Sequence, residues 1–209
     1  MSKTLPNDIF QFSLLSAFEG GLKDGGPPVG FLLNHGTHGI GVSEDGDGDM
    51  IQVDSVMYSF DEDGEATEAD KDDQLPFCMV TIFQPSQQVK PPKGTTSKKV
   101  KDVFERSKNT PLSFKLSGRF GYISTKQQTY WDVEGTIFGF SIPAWQKDIS
   151  GEGLQCCFLD DDKEKGGRVL DFETGEGAVL RWAKTGRLHL GFPQDEEFEQ
   201  IRLRRNSTA

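Results

Sequence analysis

The sequence predicts an α+β fold, a few short helices followed by many short strands. Helix signals are confined to residues 13–36 and a stretch near residue 100, while β-type runs fill most of the remainder. The two kinds do not alternate regularly, as a doubly wound sheet would require. No internal repeat of fixed period is present.

In chain order, Ser13 is placed to cap a helix carrying Leu14, Leu15, Ala17 and Phe18, which Gly20-Gly21 would end. Pro27-Pro28 suits the first turn of a second helix, with Val29, Leu32 and Leu33 on one face and Gly36 as its stop. β-type runs follow at residues 50–53, 56–60 and 77–83, separated by acidic, glycine-rich turns. Residues 85–96 are the least structured stretch. They divide an N-terminal half (about 8–88) from a C-terminal half (about 100–203) through a loop at about 89–99. A helical turn or two at 100–106 precedes strands at 112–123, 130–140, 154–159, 168–172, 178–182 and 187–192.

The 209 residues suffice for one compact domain. Only 34% of them are hydrophobic, but sixteen Phe and three Trp supply bulky core material. No apolar run approaches the roughly 18–20 residues needed to span a bilayer. The N-terminus lacks the apolar core of a secretory signal, so the expectation is a cytoplasmic protein without membrane contact. Cys78, Cys156 and Cys157 have no framework spacing and read as reduced thiols. A net charge of −10 disfavours nucleic acid as a partner. Basic residues gather at 90–101, in a solvated loop, and at 202–205, in a C-terminal tail. The sequon Asn206-Ser207-Thr208 means little without secretion. A homodimer is compatible with the sequence, which does not fix the assembly.

Several motifs fail on inspection. Residues 44–49 resemble the start of a calcium loop, but Met50 and Val56 stand where its glycine and bidentate glutamate belong, so an acidic turn is expected. Asp160-Asp161-Asp162 with Lys163-Glu164-Lys165 reads as a solvated hairpin tip. Gly36, Gly39 and Gly41 do not have dinucleotide-fingerprint spacing, and turn geometry accounts for them. Of the three histidines His35, His38 and His189, no two sit at strand or helix metal-ligand spacing. His35 is placed for a local role at a helix C-terminus. No nucleophile-elbow pattern supports a Ser-His-Asp site.

Five stretches in order resemble the acetolactate decarboxylase family. They are Phe10-Gln-Phe-Ser-Leu-Leu-Ser-Ala-Phe-Glu-Gly20, Leu32-Leu-Asn-His-Gly-Thr-His-Gly-Ile-Gly41, Pro76-Phe-Cys-Met-Val-Thr-Ile-Phe83, Val133-Glu-Gly-Thr-Ile-Phe-Gly-Phe140 and Gly166-Gly-Arg-Val-Leu-Asp-Phe172. The resemblance implies two joined β-sheet halves with the active site near the second. It also implies zinc-dependent decarboxylation of a branched 2-hydroxy-3-keto acid. In that family a Gly-x-His-x-His-Phe strand and a following Gly-Gly-His supply three imidazoles, the first two on one face of the strand.

Here the matching text is Gly153-Leu154-Gln155-Cys156-Cys157-Phe158 and Gly166-Gly167-Arg168, so the imidazoles become Gln155, Cys157 and Arg168. Gln is a poor zinc ligand and Arg a fixed cation. The resemblance also puts a family acidic residue at Val56 and a family arginine at Lys126, with Glu196, Glu197 and Glu199 as candidates for a late glutamate. Val56, Tyr58, His38 and Thr136 lie in or beside the matched stretches and are the substrate-binding candidates.

The expectation is a repurposed enzyme with no metal and no cofactor, acting on a small or polyketide-like carbonyl or carboxylate substrate. Decarboxylation, tautomerisation, rearrangement and cyclisation all suit it. Arg168 would stabilise an enolate or carboxylate, Gln155 would donate to the same oxygen, and Cys157 or Lys126 would move a proton. The alternatives are a non-catalytic ligand-binding or regulatory protein that keeps only the fold, and a zinc-dependent acetolactate decarboxylase.

Overall fold

The computed structural model describes residues 6–44, 48–104, 108–201 and 203. The middle of the expected acidic turn (45–47), the end of the expected helix (105 and 106), most of the basic tail (202, 204 and 205) and the sequon lie outside them.

Two sheets form the molecule. The first joins β1 (Ile9–Phe12), β2 (His38–Val42), β3 (Asp49–Val53), β4 (Val56–Phe60), β5 (Ala66–Glu68), β6 (Phe77–Thr81) and β13 (Leu188–Gly191), in the order β13-β1-β6-β2-β3-β4-β5. The second joins β7 (Gln87–Val89), β8 (Leu112–Thr125), β9 (Thr129–Ile142), β10 (Gly153–Asp160), β11 (Gly166–Thr174) and β12 (Val179–Lys184), in the order β11-β10-β9-β8-β12-β7. β11 also pairs with the far half of β8, so β8 to β11 close into a small barrel. All pairings are antiparallel except β1 with β13. The expected division of the chain does not follow sheet membership. β13, late in sequence, completes the first sheet, and β7, inside the stretch read as unstructured, is an edge strand of the second.

The helices are short: α1 (Leu15–Glu19), α2 (Val29–Leu32), α3 (Ser97–Phe104), α4 (Lys147–Ser150) and α5 (Glu196–Gln200). Ser13 is not the cap of α1. Leu14 holds that position, and Ser13 sits at φ 65° with its buried hydroxyl making no hydrogen bond. His35 does serve locally, its Nδ1 2.8 Å from the Phe31 carbonyl. Gly39 and Gly41 are strand residues of β2, not turn residues. A Cβ on Gly39 would stand 2.6 Å from the Met79 carbonyl oxygen on β6, so the glycine permits close approach of two backbones. The acidic hairpin tip falls between β10 and β11, and Asp160 Oδ1 accepts the N–H groups of Glu164 (2.9 Å) and Lys165 (3.0 Å).

Strand alternation sorts the side chains into three cores. Phe114, Phe120, Phe158 and Phe172 fill the barrel beneath α3. Met50, Met57 and Val80 pack beneath α2. The third core joins the sheets: Ile9, Ile40, Ile51, Phe60 and Met79 meet Phe138, Phe140, Cys157 and Leu159. Gln11 of β1 donates to the Ile149 carbonyl at 2.7 Å and accepts from the Ser150 hydroxyl, which ties the approach to β10 onto the first sheet. No helix among the described residues is long and apolar enough to cross a membrane.

Candidate functional site at the junction of the sheets

Register places the key positions in one row across the second sheet. Arg168 on β11 lies opposite Cys157 on β10, Cys157 opposite Phe138 on β9, and Phe138 opposite Lys115 on β8. Directly paired residues share a face, and this face looks onto the first sheet. Arg168 and Cys157 are thus direct neighbours on this face, with Gln155 two residues before Cys157 on the same strand face.

Arg168 is the centre of the cluster. Its Nη2 donates to Gln155 Oε1 and its Nη1 to Asp49 Oδ1 at 3.4 Å. The Asp49 side chain is 9% exposed and that of Arg168 24%, so the carboxylate is interior while the guanidinium reaches solvent. The Gln155 amide group donates in turn to the Glu152 carbonyl at 2.9 Å. Its oxygen is turned to Arg168, so Gln155 orients the guanidinium.

Cys157 is fully buried in the junction core. Burial, reinforced by the Asp49 carboxylate and opposed by Arg168, holds its thiol well above the usual range. A thiol so held does not supply thiolate at neutral pH, which argues against the proton-moving part expected for it. Lys126 is exposed; its backbone N–H donates to the Arg168 carbonyl at 2.9 Å, so it neighbours Arg168 along the backbone.

The four substrate-binding candidates all sit on strands that border the junction. His38 opens β2, wedged between Phe83 and Phe138 with ring centroids at 5.5 and 4.9 Å. Thr136 is buried on β9, its hydroxyl 3.1 Å from that of Ser117. Val56 lies opposite Val53 at the turn end of the β3–β4 hairpin, and Tyr58 lies opposite Ile51, half-buried.

A second polar group, around His38, includes residues the sequence reading did not select. His38 Nε2 is 3.2 Å from Lys115 Nζ and 3.2 Å from Asp54 Oδ1, and Lys115 Nζ is 3.4 Å from the same Asp54 oxygen. Burial, and then the Lys115 ammonium, pull the His38 pKa down to about 4 against the opposing pull of Asp54. The imidazole is therefore neutral at pH 7. Asp49, Asp54 and Lys115 were legible only as single charges, Lys115 being the one cation between the apolar neighbours Phe114 and Leu116.

The zinc centre that the resemblance implies has no fitting donor set here. An amide, a protonated thiol and a guanidinium stand where three imidazoles are required, and the guanidinium is already bonded to the amide oxygen. Among the described residues, no group of three or more His, Cys, Asp or Glu side chains is placed to hold an ion. Two cavities are lined by neither Arg168 nor Gln155. One of about 820 Å³ is bordered by Gln87, Val103 and Trp182, and one of about 540 Å³ by Glu44, Asp61 and Asp73.

The model of the family described as alpha-acetolactate decarboxylase matches residues 9–131 and 125–205. The alpha-acetolactate decarboxylase of Lactococcus lactis subsp. lactis is 30% identical over 91% of this chain and 90% of its own length. That of Klebsiella aerogenes is 29% identical over 93% and 84%. Among solved structures, alpha-acetolactate decarboxylase from Bacillus subtilis strain 168 superposes with a TM-score of 0.89, covering 95% of this chain and 94% of that one at 24% identity. A Staphylococcus aureus protein of unknown function, described as similar to that enzyme, superposes with a TM-score of 0.88, covering 95% of each chain at 24% identity.

Proposed function

The chain belongs to the alpha-acetolactate decarboxylase family, and we propose that it is a metal-independent enzyme of that family. Its substrate is a small carbonyl compound bearing a carboxylate, and its reaction develops negative charge at the carbon between the two groups. The observation that carries this reading is the cluster in which Arg168 is bonded to both Gln155 and Asp49; Arg168 and Gln155 are two of the three residues that the resemblance puts in place of the family's imidazoles. Decarboxylation or tautomerisation beside a carbonyl needs a positive group where negative charge develops, and a preorganised guanidinium is such a group. Asp49 and Gln155 fix its plane in advance, which removes reorganisation from the reaction step. Arg168 is chemically suited to this because its planar fork engages a carboxylate through two N–H groups.

One observation favours a second, non-catalytic reading. The charge of Arg168 is already opposed by Asp49, as in a purely structural ion pair. Turnover separates the two. The test follows carbon dioxide release and isomer formation from a panel of 3-oxo carboxylates, 2-acetolactate included, with wild type and Arg168→Lys. Lysine keeps a cation for Asp49 but loses the planar fork. The enzyme reading expects a folded variant with turnover reduced about 10²-fold. Equal turnover by both proteins removes Arg168 from the chemistry, and no turnover of any panel member by wild type supports the non-catalytic reading.

A further inference from the structure

The Lys115 group has no part in the Arg168 cluster, and it joins three segments of the chain. Lys115 projects from β8, His38 opens β2, and Asp54 sits in the two-residue turn between β3 and β4. Among the described lysines, only Lys115 and Lys163 are not exposed, and Lys163 belongs to the hairpin tip, 3.4 Å from the Asp160 carbonyl. Exposure rises through the group: 7% for the His38 side chain, 18% for Lys115 and 73% for Asp54. The amine thus lies between an exposed carboxylate and a buried imidazole, itself partly open to solvent.

The arrangement is braced. Asp54 and Ser55 both take positive φ, 50° and 69°, as the tight hairpin requires. The Ser55 N–H donates to the Thr37 carbonyl at 2.8 Å. Thr37 Oγ1 accepts the Phe83 N–H at 3.2 Å and lies 3.0 Å from His38 Nδ1. With Nδ1–H donating to Thr37, Nε2 presents its lone pair to the Lys115 ammonium. Asp54 of the turn and the imidazole thus hold the amine from two sides, and Thr37 braces both of them.

We propose that Lys115 is a carbonyl-binding nucleophile whose amine condenses with the ketone of a 3-oxo carboxylate to form an iminium, with His38 relaying the protons. The proposal rests on the metal-independent reading and gives that reading its electron sink. Lysine is the side chain that forms such adducts with carbonyl substrates. The Lys115 ammonium passes a proton to His38 Nε2. The nitrogen lone pair then forms a bond to the ketone carbon, and the C=O π pair moves to the oxygen, which takes one of that nitrogen's protons to become the hydroxyl of a carbinolamine. His38, a weak base in this setting, returns the proton to that hydroxyl, which leaves as water, and C=N⁺ forms. In a 3-oxo carboxylate the bond to the carboxyl carbon then breaks. Its electron pair forms the enamine C=C, the iminium π pair returns to nitrogen, and carbon dioxide leaves. Protonation of the enamine carbon and hydrolysis release a ketone and restore Lys115. The net change is one proton taken up and one carbon dioxide lost, with no oxidant or reductant.

The test uses the full chain with acetoacetate as probe and sodium cyanoborohydride to reduce any iminium in place, followed by intact mass and peptide mapping. The expected result is one reduced adduct on Lys115, formed more slowly in His38→Gln and absent at that position in Lys115→Arg. Wild-type protein alone suffices to overturn the proposal. Absence of any adduct does so, as does labelling spread over exposed lysines such as Lys101 and Lys126 with Lys115 untouched. Failure here is separable from failure of the enzyme reading. Unlabelled Lys115 in chelator-treated protein that still releases carbon dioxide sinks this inference alone. A Lys115 adduct in protein whose turnover requires zinc sinks the metal-independent reading and leaves the carbonyl site standing.

Discussion

Arg168 and Asp49, 119 positions apart in sequence, meet at 3.4 Å where β11 of the second sheet crosses β3 of the first. The pair joins the two sheets by charge beside the apolar junction core. Removing one member strands the other, and the Asp49 carboxylate is the costlier one to strand because it is the more buried. Arg168→Met is expected to destabilise the fold by about 3 kcal/mol, the lower end for a buried pair because the guanidinium touches solvent. Asp49→Asn together with Arg168→Met is expected to cost less than the two single changes summed. Urea unfolding of the four proteins measures this coupling, and strict additivity would mean the pair does not interact.

All three thiols are buried. Burial pushes Cys78 and Cys156 up to about 12 and Cys157 well above its ordinary value. A disulfide-exchange reagent at pH 8 should therefore label none of them in the native protein and all three once it is unfolded in denaturant. Cys157→Val, which keeps the apolar volume, should leave turnover unchanged. Fast native labelling of Cys157, or lost turnover in that variant, would restore it to the chemistry.

His38 links stability to pH. Its folded pKa of about 4 lies below the ordinary 6.5, chiefly through burial and then through Lys115. The unfolded chain therefore binds the extra proton first. The contribution of the neutral imidazole is complete above pH 6.5 and is lost as pH falls from 6.5 to 4, at about 1.4 kcal/mol per unit. Subtracting unfolding free energies of His38→Phe from wild type at several pH values isolates this slope. A flat difference would mean that His38 is not held neutral.

Gly139 on β9 controls how closely β10 can lie. A Cβ there would stand 2.1 Å from the Gln155 carbonyl oxygen and 2.4 Å from the Cys156 Cβ. Both are strand backbone or its first atom, so relief requires moving β10 itself. Gly139→Ala is expected to cost about 2–3 kcal/mol and to misplace Gln155, weakening its bond to Arg168. Thermal unfolding and turnover should fall together in this variant, while Ser113→Ala, at an inward position beside it, should change neither by as much.

Much of this was legible in the sequence. The strands at 56–60 and 112–123 follow from their aromatic and β-branched residues and that at 154–159 from its apolar run, and Gln155, Cys157 and Arg168 share one face. What escaped was set by distant contacts. Asp49 reads as the end of an acidic turn until β11, far along the chain, supplies its cation. β2 was hidden because Gly39 and Gly41 look like turn glycines, and only the β6 backbone beside Gly39 and the Leu75 side chain against Gly41 explain them. β7 has three exposed residues and no pattern of its own; it becomes a strand because Leu180, Arg181 and Trp182 offer it a ladder. Lys115 and His38 carry no local signal of their proximity, since they belong to different sheets.

The most direct measurement is carbon dioxide release from the 3-oxo carboxylate panel by protein dialysed against EDTA, with bound zinc quantified in the same sample. The account predicts unchanged turnover with zinc far below one ion per chain. Turnover that vanishes on chelation and returns with added zinc would contradict it.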